Sequence, residues 1–114
     1  MDINAVSKDH INVADALKRI GGNEDLYKRL LKRFLDGNEF EELGDALQNG
    51  DAEEAARLAH TIKGVSANLS LEKIRTASID LELTIRAGLD SSADFANLMQ
   101  TYSETKEEIV KLIG

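Results

Sequence analysis

Apolar residues recur along this chain at steps of three and four, in six blocks separated by glycines and capping residues. That spacing predicts helices throughout. The first block, roughly Asn12 to Ile20, places Val13, Ala16, Leu17 and Ile20 on one face and stops at Gly21-Gly22. Asn23 caps the second, with Glu24 and Asp25 in its first turn and Leu26, Tyr27, Leu30, Leu31 and Phe34 as its apolar positions. Gly37 breaks or kinks this helix, a continuous bent helix also being compatible with the pattern. The third, near Glu39 to Asn49, carries Phe40, Leu43 and Leu47 and ends at Gly50. Gly44 in its interior has one explanation, close helix packing.

The fourth helix opens on a capping box, Asp51-Ala52-Glu53-Glu54, and runs to about Asn68. Its buried stripe reads Ala55, Leu58, Ala59, Ile62, Ser66 and Leu69. Ser70 is expected to cap the fifth, whose stripe is Leu71, Ile74, Ser78, Leu81 and Ile85 and whose stop is Gly88. Ser91 or Ser92 opens the last, with Phe95, Leu98, Tyr102, Thr105, Ile109 and Leu112 in the alternation of helices packed at a shallow angle. Short connections force neighbouring long helices antiparallel. The expected fold is all-α: an up-and-down antiparallel four-helix bundle with additional short N-terminal helices. No repeat, low-complexity tract or linker divides residues 1–114, so one domain is expected.

Composition narrows the function classes. Aromatic residues are only 4% of the 114, which leaves an aliphatic core. With no cysteine there is no disulfide, no thiol chemistry and no Cys-based zinc site. The formal net charge of −7 disfavours nonspecific nucleic-acid binding. No apolar run is long enough to span a bilayer, and the start Met1-Asp2-Ile3-Asn4 lacks a basic region followed by an apolar one. These features lead to the expectation of a soluble, cytoplasmic protein. Met1 and the polar start favour a free-standing chain, an excised domain of a hybrid kinase being the alternative, and a monomer is expected.

The candidate chemistry centres on His60, in Leu58-Ala59-His60-Thr61-Ile62-Lys63-Gly64. His60 sits about 100–200° around the helix from Ala59 and Leu58, so its imidazole points away from the buried stripe. Its neighbours one turn away on the same row, Ala56 and Gly64, are the smallest residues available and leave the ring clear. Lys63 at i+3 is close enough to reach anything bound to the ring. Gly64 costs roughly 1 kcal/mol relative to alanine inside a helix, and access to His60 would offset that cost. The other histidine, His10, precedes the first helix and lacks this clearance and charge. Helical side chains lean toward their own N-terminus, so in the hairpin of helices four and five Glu82 can come back to meet the imidazole. Its carboxylate could accept the Nδ1 proton, fix the tautomer and leave Nε2 as nucleophile. Arg86, four residues on, could pair with Glu82 or add positive field; a plain solvated i,i+4 pair is the alternative.

At these residues the chain resembles the histidine-containing phosphotransfer (HPt) domains of two-component phosphorelays. The resemblance also rests on Ala16-Leu17-Lys18-Arg19-Ile20-Gly21-Gly22, on Leu30 to Leu35 and on Gly50-Asp51. It implies that His60 is the phosphoacceptor of an H-x-x-K-G motif, with Lys63 and Gly64 in the family's lysine and glycine positions. It places Glu82 as hydrogen-bond partner of the imidazole and Arg86 as the basic residue one turn on. Val13, Leu17 and Ile20 become candidates for the docking face. The implied function is to accept a phosphoryl group from a receiver aspartate or a sensor kinase and pass it to a response-regulator aspartate. The implied partners are response-regulator receiver domains and a sensor or hybrid histidine kinase. No cofactor is expected, since the partner receiver brings its own Mg²⁺. No nucleotide-binding apparatus is present, so no autonomous kinase activity is expected.

Two rivals remain at this point. A helical adaptor with the same bundle would bind receiver or kinase domains without being phosphorylated, and it would be marked by loss of His, Lys or Gly at the motif. A di-iron bundle needs several histidines and paired Glu-x-x-His motifs. Here there are two histidines, and Arg57 stands at i−3 from His60.

Overall fold

Six helices form where the apolar spacing places them, and no strand is present. The computed structural model describes residues 1–114. Its elements are α1 (Val13–Arg19), α2 (Glu24–Asp36), α3 (Glu39–Gln48), α4 (Ala52–Asn68), α5 (Glu72–Arg86) and α6 (Ser92–Ile113). The long helices α3 to α6 pack in chain order, α3 on α4, α4 on α5 and α5 on α6, joined by short turns. The ring closes between α3 and α6. A Cβ on Gly44 would lie 3.3 Å from the Phe95 ring, and Phe40 stacks on Tyr102 with centroids 3.8 Å apart. This is the close packing that Gly44 implied. α2 packs against α6 and α1 against α2, giving a rod of 41 × 20 × 19 Å.

The helix ends follow local chemistry in most places. Asn12 accepts from Asp15 N at 3.2 Å, Asn23 from Leu26 N at 3.0 Å and Asp51 from Glu54 N at 3.1 Å. Only half of the expected capping box forms, because Glu54 turns to Arg57 and the Asp51 N–H donates to Ala46 O at 2.9 Å. Gly37 breaks the chain between α2 and α3, in extended backbone that rules out a continuous bent helix. Ser91 occupies the position before α6 without a side-chain capping bond, while the Ser92 hydroxyl donates to Asp90 Oδ1 at 2.6 Å.

Ser70 departs from expectation. It is fully buried at φ 57, and α5 starts at Glu72 with no side-chain cap. The Ser70 hydroxyl donates instead to Asp15 Oδ2 of α1 at 2.8 Å and accepts from Arg19. Its carbonyl accepts from Asn12 N at 3.0 Å, and the buried Tyr27 hydroxyl of α2 donates to the Leu69 carbonyl at 2.6 Å. Burial pushes the Tyr27 phenol well above its ordinary range, so it stays a donor. The two N-terminal helices therefore grip the α4–α5 loop, which sets the register of the hairpin that carries the site.

Tyr27→Phe removes a buried donor and leaves the Leu69 carbonyl without that partner. It is expected to lower the unfolding free energy by about 1–3 kcal/mol, read from urea titrations against the wild type.

Candidate functional site

His60 lies on the outer face of α4, because the residues around it on the wheel are consumed by the core. Leu58, Ala59 and Ile62 are each at most 2% exposed. The imidazole itself is 62% exposed. Its Nδ1 lies 3.3 Å from Oε1 of Glu82, which comes across from α5 as the lean of helical side chains predicts. Lys63 Nζ donates to the same oxygen at 3.3 Å, and Arg86 Nε donates to Oε2 at 2.8 Å. One carboxylate thus gathers all three basic side chains that the sequence singled out.

Glu82 is the least exposed member, with its side chain 11% exposed. A carboxylate in that position needs partners on both oxygens. Burial pushes its pKa up, but hydrogen bonds from Arg86, Lys63 and His60, with the Lys63 charge, outweigh this and hold it below the ordinary 4.5. Glu82 is therefore ionised near neutral pH, and an ionised carboxylate can only accept. In the neutral imidazole the ring proton accordingly belongs on Nδ1, and Nε2 carries the lone pair.

Gly64 is exposed, and a Cβ built on it meets nothing within 4 Å. No neighbouring helix needs this glycine, so packing does not offset its cost to α4. Beyond it on the same face Asn68 lies about 12 Å along the axis from His60. Asn68 and Val65 border a half-open groove of about 440 Å³ between α4 and the N-terminal helices. Ile20, Leu30 and Phe34 line its other wall, with Arg19 and Arg33 at the groove.

The docking candidates divide. Ile20 lines this groove, and Leu17 is partly buried against the core. Val13 is 3% exposed and cannot meet a partner, because α1 turns that side inward against the bundle. Ala56 is also 3% exposed: it stands one turn from His60 but on the flank of α4 that the bundle covers, so it does not provide clearance. His10 is 13% exposed, with Glu104 3.7 Å away and neither ring nitrogen hydrogen-bonded. Sequence reasoning did not single out Val65 or Arg19 as part of the groove. An apolar residue off the α4 stripe, next to an exposed glycine, was the available signal for Val65.

The exposed imidazole of His60 is thus braced by Glu82 at Nδ1 and otherwise open. No set of three or more His, Asp or Glu side chains is placed to hold a metal ion. Residues 29–111, from within α2 to within α6, match the family model of the Hpt domain, and the chain belongs to that family. Its role is accordingly phosphotransfer in two-component signalling, where Hpt domains work with receiver domains and kinases. No curated protein and no solved structure matches the chain. No helix is long and apolar enough to cross a membrane.

Two stability measurements check this geometry. Gly64→Ala is expected to stabilise the protein by up to about 1 kcal/mol, since alanine is the better helix former and the added methyl has free space. A thermal melt lower than wild type would mean that this face of α4 is covered. The second concerns acid. A carboxylate whose folded pKa is depressed contributes stability that is complete above its unfolded value, near 4.5, and lost as pH falls through the lower folded value. Glu82→Gln should therefore flatten the fall in stability below about pH 4.5, measured by urea unfolding between pH 3 and 7.

Proposed function

We propose that the protein carries a phosphoryl group on Nε2 of His60, taken from a receiver aspartate or a sensor kinase and passed to the aspartate of a response-regulator receiver. The observation that carries this reading is the 3.3 Å contact between Nδ1 and the Glu82 carboxylate on a ring that is 62% exposed. In the transfer the Nε2 lone pair attacks phosphorus in line as the aspartyl P–O bond breaks, and the aspartate leaves as its carboxylate. The Nδ1 proton stays on the ring, in its hydrogen bond to Glu82. Lys63, held one turn away by the same carboxylate, supplies positive charge to the equatorial oxygens as they pass between the two proteins. Arg86 holds the far side of Glu82 and so keeps the acceptor in place.

The donor receiver would supply Mg²⁺ and its own lysine, and the chain would act as a cytoplasmic monomer with no cofactor of its own. The groove beside Gly64 supports receiver docking. Its apolar lining, Val65 on one wall and Ile20 and Leu30 on the other, lies within reach of a domain whose aspartate is over His60. An exposed glycine on the row between the histidine and the groove lets such a domain approach the helix surface. The residues 1–114 would act as one module.

Incubation with a phosphorylated receiver should give acid-labile label on the wild type and none on His60→Gln; ATP and Mg²⁺ alone should label neither. Label persisting in His60→Gln would remove His60 from the role. Gly64→Leu should melt no lower than the wild type and lose transfer from the receiver, because the added side chain projects into open space that the partner needs.

A further inference from the structure

We infer that Arg57, parked on Glu54 in the free protein, is a further residue that binds the phosphoryl group on His60. The inference rests on the reading of His60 as acceptor. Arg57 stands one turn before His60 on the exposed side of α4, in the direction toward which the imidazole leans. It lines the same shallow cleft as His60 and Arg86, so its guanidinium and the free edge of the ring open onto one space. In the free protein its Nε donates to Glu54 Oε2 at 2.9 Å, and its terminal nitrogen donates to the other carboxylate oxygen.

What separates Arg57 from the other two cations is the consequence of moving it. Lys63 and Arg86 are both committed to Glu82, whose carboxylate is 11% exposed, and taking either away weakens the hydrogen bonding of a buried charge. Arg57 is committed only to Glu54, and the two side chains are 60% and 41% exposed. Exposed pairs of this kind contribute little and exchange readily, because water solvates the carboxylate left behind. A phosphoryl group on Nε2 brings two negative charges into the cleft and offers an arginine a fork of oxygens that Glu54 matches no better. Arg57 is therefore the cation that can move onto the phosphoryl group while Lys63, supplying its charge from place, and Arg86 stay on Glu82, which holds the ring.

Phosphoramidate, a small donor that needs no docking, isolates this step. Its P–N bond breaks as the Nε2–P bond forms, and ammonia leaves with the protons already on the donor nitrogen. The rate of His60 phosphorylation is followed by phosphorus NMR for wild type, Arg57→Ala, Arg57→Lys and Glu54→Gln, with circular dichroism melts alongside. Arg57→Ala is expected to be slower on the order of tenfold, less than the loss of an enclosed oxyanion donor. Arg57→Lys should recover part of the rate, and Glu54→Gln should exceed wild type because the arginine is released. The wild-type advantage should shrink at high salt. Arg57→Ala reacting at the wild-type rate, or Glu54→Gln reacting as slowly as Arg57→Ala, would overturn the inference and leave His60 as acceptor. Wild-type protein labelled elsewhere than His60 would instead overturn the acceptor reading itself.

Discussion

One buried carboxylate organises the site. Glu82 sits between α4 and α5 with Lys63 and the His60 Nδ1 on one oxygen and Arg86 on the other. Its burial alone would favour the neutral acid, and the donors around it reverse that preference. Because it stays ionised it can only accept, and that requirement orients the imidazole and assigns its proton to Nδ1. The open nitrogen is a consequence of electrostatics in the neighbouring helix as much as of exposure on its own. A glutamine in the same place could also accept from Nδ1, but it would not draw the two cations to the ring's edge.

Such a carboxylate is useful only if the two helices hold their register, and the fold provides for that at the loop. The α4–α5 turn is gripped from outside by Tyr27 at Leu69 and by Asn12, Asp15 and Arg19 at Ser70. The short α1 and the longer α2 are thereby fixed beside the site rather than hanging from the end of the rod. They also form the second wall of the groove that begins beside Asn68. Hairpin register and groove thus share one set of hydrogen bonds, and loosening α1 is expected to disturb both.

Most of this was legible in the residue pattern. The short hairpin and the lean of helical side chains allowed Glu82 to reach His60 but left a plain Glu82–Arg86 pair open, and the family resemblance pointed to the contact that the structure shows. The buried stripe of α4 followed from its spacing, since Ala55, Leu58, Ala59, Ile62, Ser66 and Leu69 are all buried. Rotation was less legible where the helix is short or the residue small. Around the seven-residue α1, Val13, Ala16 and Leu17 within the helix and Ile20 at its C-cap compete for one inward face, and the bundle buries Val13 and Ala16 while leaving Ile20 to the groove. Ala56 carries no sign of its side, because alanine is acceptable buried or exposed. Ser70 was misread for a different reason. A serine before a helix suggests a local cap, but its partners are Asp15 and Arg19, 55 and 51 residues away, and no local pattern encodes that contact.

The central claim is that Glu82 holds the Nδ1 proton of His60 and leaves Nε2 as the atom that carries phosphorus. Nitrogen–phosphorus NMR of the phosphorylated, ¹⁵N-labelled protein tests it directly, because coupling to phosphorus identifies the bonded ring nitrogen. The account predicts coupling to Nε2 of His60 and a proton retained on Nδ1. Coupling to Nδ1, or phosphorus on any residue other than His60, would contradict it.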